Sequence, residues 1–165
     1  MLTPTVARSW APRGQTPLLR HWQRHDRISV ISGISVSPRR RRIGLYYQWH
    51  HRNIHDVQAV EFLQHLLRHL RGPVVLVWDN LRVHKSALVQ QFCLCVPRLH
   101  LVYLPAYAPE LNPDEGVWRQ TKRRLANSCP KDRYDLALDV MRELERLRRS
   151  PAKLWSCVEH SGLRL

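Results

Sequence analysis

Apolar and polar residues alternate along residues 27–37, a pattern typical of a β-strand. We expect one well-buried face, and the residues on that side are Ile28, Val30, Ser32, Ile34 and Val36. An arginine-rich turn at 38–42 joins this strand to a second apolar stretch at 43–50, and together they predict a β-hairpin. The sequence leaves two interpretations of these arginines open, a solvated loop or a contact with phosphate groups.

Apolar residues recur with helical spacing at 56–70, which predicts a helix capped by Asn53 or Asp56. Gly72 and Pro73 lead into an uninterrupted apolar run at 74–78, which favours a central strand buried on both faces. A helix at 85–95 and a strand at 100–105 are expected next. The order β-β-α-β-α-β predicts an α/β fold with a mixed sheet flanked by helices.

A proline-rich loop ends at Asn112, where the sequence predicts a helix with Asn112 as N-cap and Pro113 at its first position. Its inner side is expected to consist of Val117, Trp118, Thr121 and Leu125. Its outer side is basic and carries Arg119, Lys122, Arg123 and Arg124. A last helix is expected at 134–148. Prolines and a glycine favour an extended arm over residues 1–26, so we divide the chain into this arm and a single domain at 27–165.

The chain has 165 residues and an excess of basic groups, 27 Lys and Arg against 13 Asp and Glu, for a net charge of +14. Because the basic residues are spread along the chain, this charge favours a nucleic-acid partner over a basic tail on an unrelated protein. No apolar stretch approaches the roughly 20 residues of a membrane span, and no secretory signal follows Met1, so we expect a soluble cytoplasmic protein with no membrane partner.

Cysteine and histidine residues offer weaker signals of chemistry. The four cysteines lack the spacing of a zinc site, so reduced structural thiols are expected. His65 and His69 share a helix face, but the sequence has no third ligand at a recognisable spacing. We therefore expect these two histidines to be solvated surface residues.

Asp79 directly follows the apolar run at 74–78, and ligands of open α/β sheets gather at the carboxyl ends of such strands. Glu115 lies three residues after Asn112, a spacing that a helical capping box also explains. The 35 residues between the two acids supply one helix and one strand, which return the chain to the same edge of the sheet. We therefore expect Asp79 and Glu115 to face each other at that edge, where carboxylates suit divalent metal ions.

The motifs Trp78-Asp79-Asn80-x-x-x-His84 and Tyr103-Leu104-Pro105-x-Tyr107-Ala108-Pro109-Glu110-Leu111-Asn112-Pro113-x-Glu115-x-x-Trp118 resemble those of mariner-like insertion-sequence transposases. The resemblance implies a ribonuclease H-like DDE endonuclease domain that cleaves and joins DNA strands with two Mg²⁺ or Mn²⁺ ions. It implies that Asp79 and Glu115 are the second and third catalytic acids and metal ligands, and that Asn80, His84 and Asn112 support them. It also implies transposon ends and target DNA as partners, a homo-oligomer, and a prokaryotic, nucleoid-associated location.

Members of this family carry a first catalytic Asp on a strand before the arm, and a DNA-binding region before that strand. Neither Asp26 nor Asp56 occupies the matching place, so we expect a fragment that lacks the first acid and the first strand. Three hypotheses stay open. The chain is a transposase catalytic domain, a non-catalytic module that binds DNA or associates with a transposase, or the product of a decayed gene.

Overall fold

The computed structural model describes residues 10–15 and 27–163. Within them the chain forms an α/β fold, which confirms the predicted class. The strands are β1 (Ser29–Val36), β2 (Ile43–His50), β3 (Val74–Trp78) and β4 (Leu99–Tyr103). The helices are α1 (Asp56–His69), α2 (Ala87–Leu94), α3 (Pro113–Leu125), α4 (Arg133–Arg148) and α5 (Pro151–Glu159).

The described strands pair two by two. β1 and β2 form the expected antiparallel hairpin, in which Ser29 lies opposite His50 and Val36 opposite Ile43. β3 and β4 are parallel and joined through α2, with Val74 opposite Leu99. The mixed pairing of the prediction is therefore present, but as two separate two-stranded ladders within the described part of the chain.

Two apolar layers hold the helices against the strands. One cluster lies between the β1–β2 hairpin and α3, α4 and α5. The other lies between strands of both ladders and the helices α1 and α2. On β1, Val30 and Ile34 pack against the first cluster and Ile31 belongs to the second, so both faces of the strand are covered. The prediction of one buried face on this strand is wrong because helices pack on both sides of the hairpin.

β3 is less buried than its uninterrupted apolar sequence suggests. Leu76 and Trp78 pack into the cluster under α1, whereas the side chain of Val75, on the opposite face, is 65% exposed. The expectation of a strand buried on both faces is wrong, since the helices beside this ladder cover one face only. The carboxyl end of β3 falls at Trp78, as predicted, so Asp79 leads out of the strand.

Helix boundaries differ from the prediction in two places. The cap of α1 is His55, whose backbone N–H donates to the Gln58 side chain (2.9 Å), so neither Asn53 nor Asp56 serves as the cap. α5 was not predicted, although Ser150 followed by Pro151 is a typical helix start. Its buried residues are Leu154, Cys157 and Val158.

The predicted arm falls mostly outside the described residues. Its described part, 10–15, contains a turn in which the Gln15 N–H donates to the Pro12 carbonyl (3.0 Å). In the hairpin turn, the guanidinium of Arg40 lies over the Trp155 ring at 5.2 Å. All four cysteines are free thiols. No helix in the described ranges has the length and apolar character needed to cross a bilayer.

Candidate active site

Asp79 is held by groups that follow it closely in the chain. Its Oδ1 lies 2.7 Å from Nδ1 of His84 and accepts a hydrogen bond from the Leu81 backbone N–H (3.1 Å). A 3₁₀ turn at Arg82–Lys85 brings the chain back so that His84 reaches the carboxylate. The residues described make no hydrogen bond to Oδ2 of Asp79, so this oxygen remains available to a ligand.

The pKa of Asp79 is lowered, as a ligand for cations requires. Partial burial acts to raise this pKa, but the hydrogen bonds from His84 and Leu81 and the charge of His84 outweigh burial. Asp79 is therefore ionised at neutral pH. An ionised carboxylate is the kind of hard oxygen ligand that Mg²⁺ and Mn²⁺ take.

His84 is itself fixed by the surrounding fold. It is buried, and its ring stacks on that of Trp78 with centroids 3.8 Å apart and planes 20° from parallel. Its backbone carbonyl accepts a hydrogen bond from the Tyr103 hydroxyl (3.0 Å). Contacts with both β3 and β4 therefore set the direction in which His84 presents Nδ1 to Asp79.

Asn80 and Asn112 act at the two ends of the connection to α3. The side-chain amide of Asn80 donates to the Leu104 carbonyl, which ties the end of β3 to the exit of β4. Asn112 caps α3 as predicted, since its Oδ1 accepts from the Asp114 N–H (3.1 Å). Both side chains shape the backbone around the acids.

Glu115 lies in the first turn of α3 and is exposed. The alternative explanation, a capping box, requires the Glu115 carboxylate to accept from the Asn112 backbone N–H. That N–H donates instead to the Pro109 carbonyl (3.0 Å). The Glu115 carboxylate is thus free of the capping role that the sequence allowed.

Asp114 is an acid that the sequence analysis missed. Its Oδ2 accepts from the Ser32 hydroxyl (2.6 Å) and the Trp118 indole N–H (2.9 Å). Burial raises the pKa of Asp114 to about 6, and repulsion from Glu115 and Asp79 adds to that effect. Helical spacing in the sequence could have identified Asp114, because this residue lies on the same helix face as Trp118 and the buried Thr121.

The three acids do not form a closed cage for a metal ion. In the ranges 10–15 and 27–163, no three His, Cys, Asp or Glu side chains are arranged to hold one together. His65 and His69 belong to no such group, although their rings lie 4.5 Å apart and next to Tyr46. Mg²⁺ sites commonly use one or two carboxylates, with water and substrate phosphate as the other ligands. The donor chemistry of Asp79 and Glu115 fits such an open site.

α3 carries positive charge that no described carboxylate compensates. Arg119, Lys122 and Arg123 are exposed and make no ion pair with a described residue. Arg124 differs, since its Nε lies 3.8 Å from Glu143. Arginines at the end of α4 are ion-paired: Arg146 pairs with Glu143, and Arg148 and the cap residue Arg149 share Glu145, each at 2.8 Å.

A protein-family profile matches most of this chain. Residues 2–137 match the sequence profile of the DDE superfamily endonucleases, which covers more than four fifths of the chain. No curated protein sequence matches the chain.

Solved structures of a transposase share its fold. The Mos1 strand transfer complex superposes with a TM-score of 0.56 at 17% identity, over 97% of this chain and 51% of that one. The Mos1 mariner paired-end complex with Mn gives 0.58 at 16% identity, over 99% and 53%. The Mos1 transposase catalytic domain with raltegravir and Mg gives 0.50 at 14% identity, over 84% of each chain. The chain therefore has a ribonuclease H-like fold and spans about half the length of the first two transposase chains.

Proposed function

The chain belongs to the DDE superfamily of endonucleases, and from this premise we propose that it is the catalytic part of a transposase that cleaves and joins DNA strands at Asp79 and Glu115. One observation carries the proposal. Asp79 is ionised at the carboxyl end of β3, and His84 and Leu81 hold one of its oxygens in place. The pKa of Asp114 responds to the charges of both Asp79 and Glu115, which supports a common location for the two acids.

Two Mg²⁺ or Mn²⁺ ions are the proposed cofactors, and Asp79 and Glu115 would hold them. Such ions supply a Lewis acid that activates the attacking oxygen and stabilises the leaving oxygen of a phosphodiester. Mos1 has been solved with Mn and with Mg, which agrees with this choice. The first-turn position of Glu115 gives its carboxylate a free path to such an ion.

The supporting residues orient the acids. His84 donates towards Oδ1 of Asp79 and leaves Oδ2 for the metal. Asn80 fixes the backbone after Asp79 through the Leu104 carbonyl, and Asn112 fixes the start of the helix that carries Glu115. Because these groups are hydrogen-bonded before any substrate arrives, the acids need little reorganisation on binding DNA.

DNA is the proposed substrate, in the form of transposon ends and target DNA. Two of the Mos1 structures are a paired-end complex and a strand transfer complex, and α3 of this chain carries exposed basic side chains. We assign phosphate contacts to Arg119, Lys122, Arg123 and Arg124, which act through charge and carry little sequence preference. A homo-oligomer acting on paired ends in the prokaryotic cytoplasm, at the nucleoid, completes the proposal.

Metal-dependent nicking tests the catalytic proposal. Purified chain is incubated with supercoiled plasmid and Mg²⁺ or Mn²⁺, and nicked circles are quantified. Asp79→Asn and Glu115→Gln should each abolish the nicking, because each removes a charged metal ligand. The controls Asp139→Asn and Glu159→Gln change a partly exposed acid on α4 and an exposed acid on α5 and should nick like the wild type. Nicking that persists in both site variants would refute the proposal.

A second candidate function is a non-catalytic module that binds DNA or associates with an intact transposase. The unpaired basic side chains of α3 favour it, since they do not depend on a complete metal site. This hypothesis predicts DNA binding that weakens with salt and is unchanged by Asp79→Asn. An absence of nicking in the wild type together with such binding would select it.

A further inference from the structure

Asp114 links α3 to a strand that is distant in the sequence. Its Oδ2 accepts from the hydroxyl of Ser32 on β1, 82 residues earlier in the chain, at 2.6 Å. The same oxygen accepts from the indole N–H of Trp118, one helical turn further along α3, at 2.9 Å. Asp114 is therefore the residue through which the first turn of α3 is hydrogen-bonded to the hairpin.

The other oxygen of Asp114 is shielded from solvent, and no described residue donates a hydrogen bond to it. A buried, half-satisfied carboxylate opposes folding, whereas an apolar side chain at the same place would pack without that cost. Position 114 lies on the inner stripe of the helix, where Val117 and Thr121 are fully buried. Burying the Asp114 carboxylate therefore costs folding free energy, which the contacts of Asp114 must offset.

The geometry of the helix gives a reason for an acid at this position. Consecutive residues of an α-helix point about 100° apart around its axis. When Asp114 is fixed towards β1, Glu115 must point away from β1, and Glu115 is indeed exposed. The cap made by Asn112 sets where the helix begins, but the bond to Ser32 sets how the helix is rotated.

We propose that Asp114 is a positioning residue that fixes the rotation of α3 against β1 and thereby directs the Glu115 carboxylate to the metal side of the molecule. The role of Glu115 in metal binding rests on the proposed function, whereas the anchoring of α3 does not. Asp114 is not assigned as a ligand itself, since its Oδ2 already accepts two hydrogen bonds and its Oδ1 is shielded from solvent.

The experiment compares Asp114→Asn, Asp114→Ala and Ser32→Ala with the wild type. Asparagine keeps an acceptor oxygen for Ser32 and Trp118 but carries no charge, whereas alanine removes the acceptor. Ser32→Ala removes one donor and leaves the acid, which keeps the test open if Asp114→Ala does not fold. Asp139→Asn is the matched control, because it neutralises a partly exposed acid that pairs with Arg142 on α4.

The first measurement is amide hydrogen exchange over residues 114–118. We expect Asp114→Ala to accelerate this exchange about tenfold or more and Ser32→Ala by a smaller factor, with α4 unchanged. Asp114→Asn should stay within about threefold of the wild type. Equal exchange in all variants would overturn the proposal, whatever the metal site does.

The second measurement is the affinity for Mn²⁺ by titration. Asp114→Ala should weaken binding about tenfold or more, and Asp114→Asn should restore it to within about threefold. If Asp114→Asn binds Mn²⁺ as weakly as Asp114→Ala, Asp114 is a ligand and the positioning role is refuted. If the wild type binds no Mn²⁺, the proposed function fails, and the exchange measurement alone decides whether Asp114 anchors α3.

Discussion

Two neighbouring carboxylates show pKa shifts in opposite directions, and their surroundings explain why. Asp79 has a donor on either side of Oδ1, so its charged form is stabilised despite partial burial. Asp114 also accepts two hydrogen bonds, but burial and repulsion from Glu115 and Asp79 outweigh them. The ionised Asp79 suits metal binding, and Asp114 suits a role in packing.

The raised pKa of Asp114 predicts a pH-dependent stability. The unfolded carboxyl loses its proton near 3.8 and the folded one near about 6, so the native state loses stability as pH rises between these values. Asp114→Asn removes this dependence. We expect the wild type to lose about 1–3 kcal/mol relative to Asp114→Asn between pH 4 and pH 7. Urea unfolding of both proteins at several pH values measures it, and parallel pH profiles would contradict it.

For single residues, the sequence predicted the positions that depend only on nearby residues in the chain. Asn112 is the cap of α3, and Asp79 stands at the end of β3, because both follow from nearby residues. The sequence did not predict the partner of Asp114, since Ser32 is 82 residues away and only the packed fold brings them together. The positions of Asp79 and Glu115 relative to a metal stay a prediction.

The elements of the fold depend on a few close approaches. Gly116 lies where α3 crosses α5, and a Cβ there would come within 3.0 Å of both Cβ and Sγ of Cys157. Gly116→Ala should therefore destabilise the protein by about 1–3 kcal/mol through overpacking. Gly33→Ala is the control, because a Cβ there meets only Phe62 at 3.8 Å. Thermal unfolding compares the two, and equal stabilities would contradict the predicted overpacking.

Arg98 connects the end of α1 to the start of β4. Its guanidinium donates to the carbonyls of Leu70 (2.8 Å), Gly72 (2.9 Å) and Leu67, which lack helical partners at the end of α1. Arg98→Ala should cost about 1–3 kcal/mol of unfolding free energy. Arg71→Ala removes an exposed arginine nearby and should cost less than about 0.5 kcal/mol. Comparable losses in urea unfolding would show that Arg98 has no special structural role.

The sequence predicted most elements but not how they are covered. The predicted β2 and α4 are both present, and each packs apolar residues into the first cluster. The apolar sequence of β3 predicts a fully buried strand, yet Val75 is exposed. Burial depends on which helices lie over each face of the strand. α5 was missed although Ser150 and Pro151 form a typical helix start, because its nine residues are too few to show a helical period clearly.

Across the whole molecule, charge is distributed unevenly between α3 and α4. Arg119, Lys122 and Arg123 of α3 are unpaired among the described residues, whereas Arg148 and Arg149 are paired with Glu145. The net charge of +14, which the sequence reveals, does not distinguish these surfaces. The distinction requires the fold, because ion pairing decides which cations remain available to phosphate groups.

This distribution predicts how DNA binding responds to salt. Lys122→Ala should weaken binding and reduce the slope of log affinity against log salt by about 1, since one phosphate contact is lost. Arg148→Ala should change the slope little, because that arginine is neutralised in the free protein. Fluorescence anisotropy with a DNA duplex makes the comparison between about 50 and 300 mM salt, a range over which the screening of charges changes. Equal effects of both variants would contradict the assignment of α3 as the DNA surface.

Titration with Mn²⁺ tests most directly whether Asp79 and Glu115 serve one metal site. The affinity is measured for the wild type, Asp79→Asn, Glu115→Gln and the double variant, with Asp139→Asn as control. If the two acids share an ion, each single substitution weakens binding about tenfold or more, and the double variant is weaker than the wild type by less than the product of the two losses. Wild-type affinity in Asp79→Asn or Glu115→Gln would contradict the account.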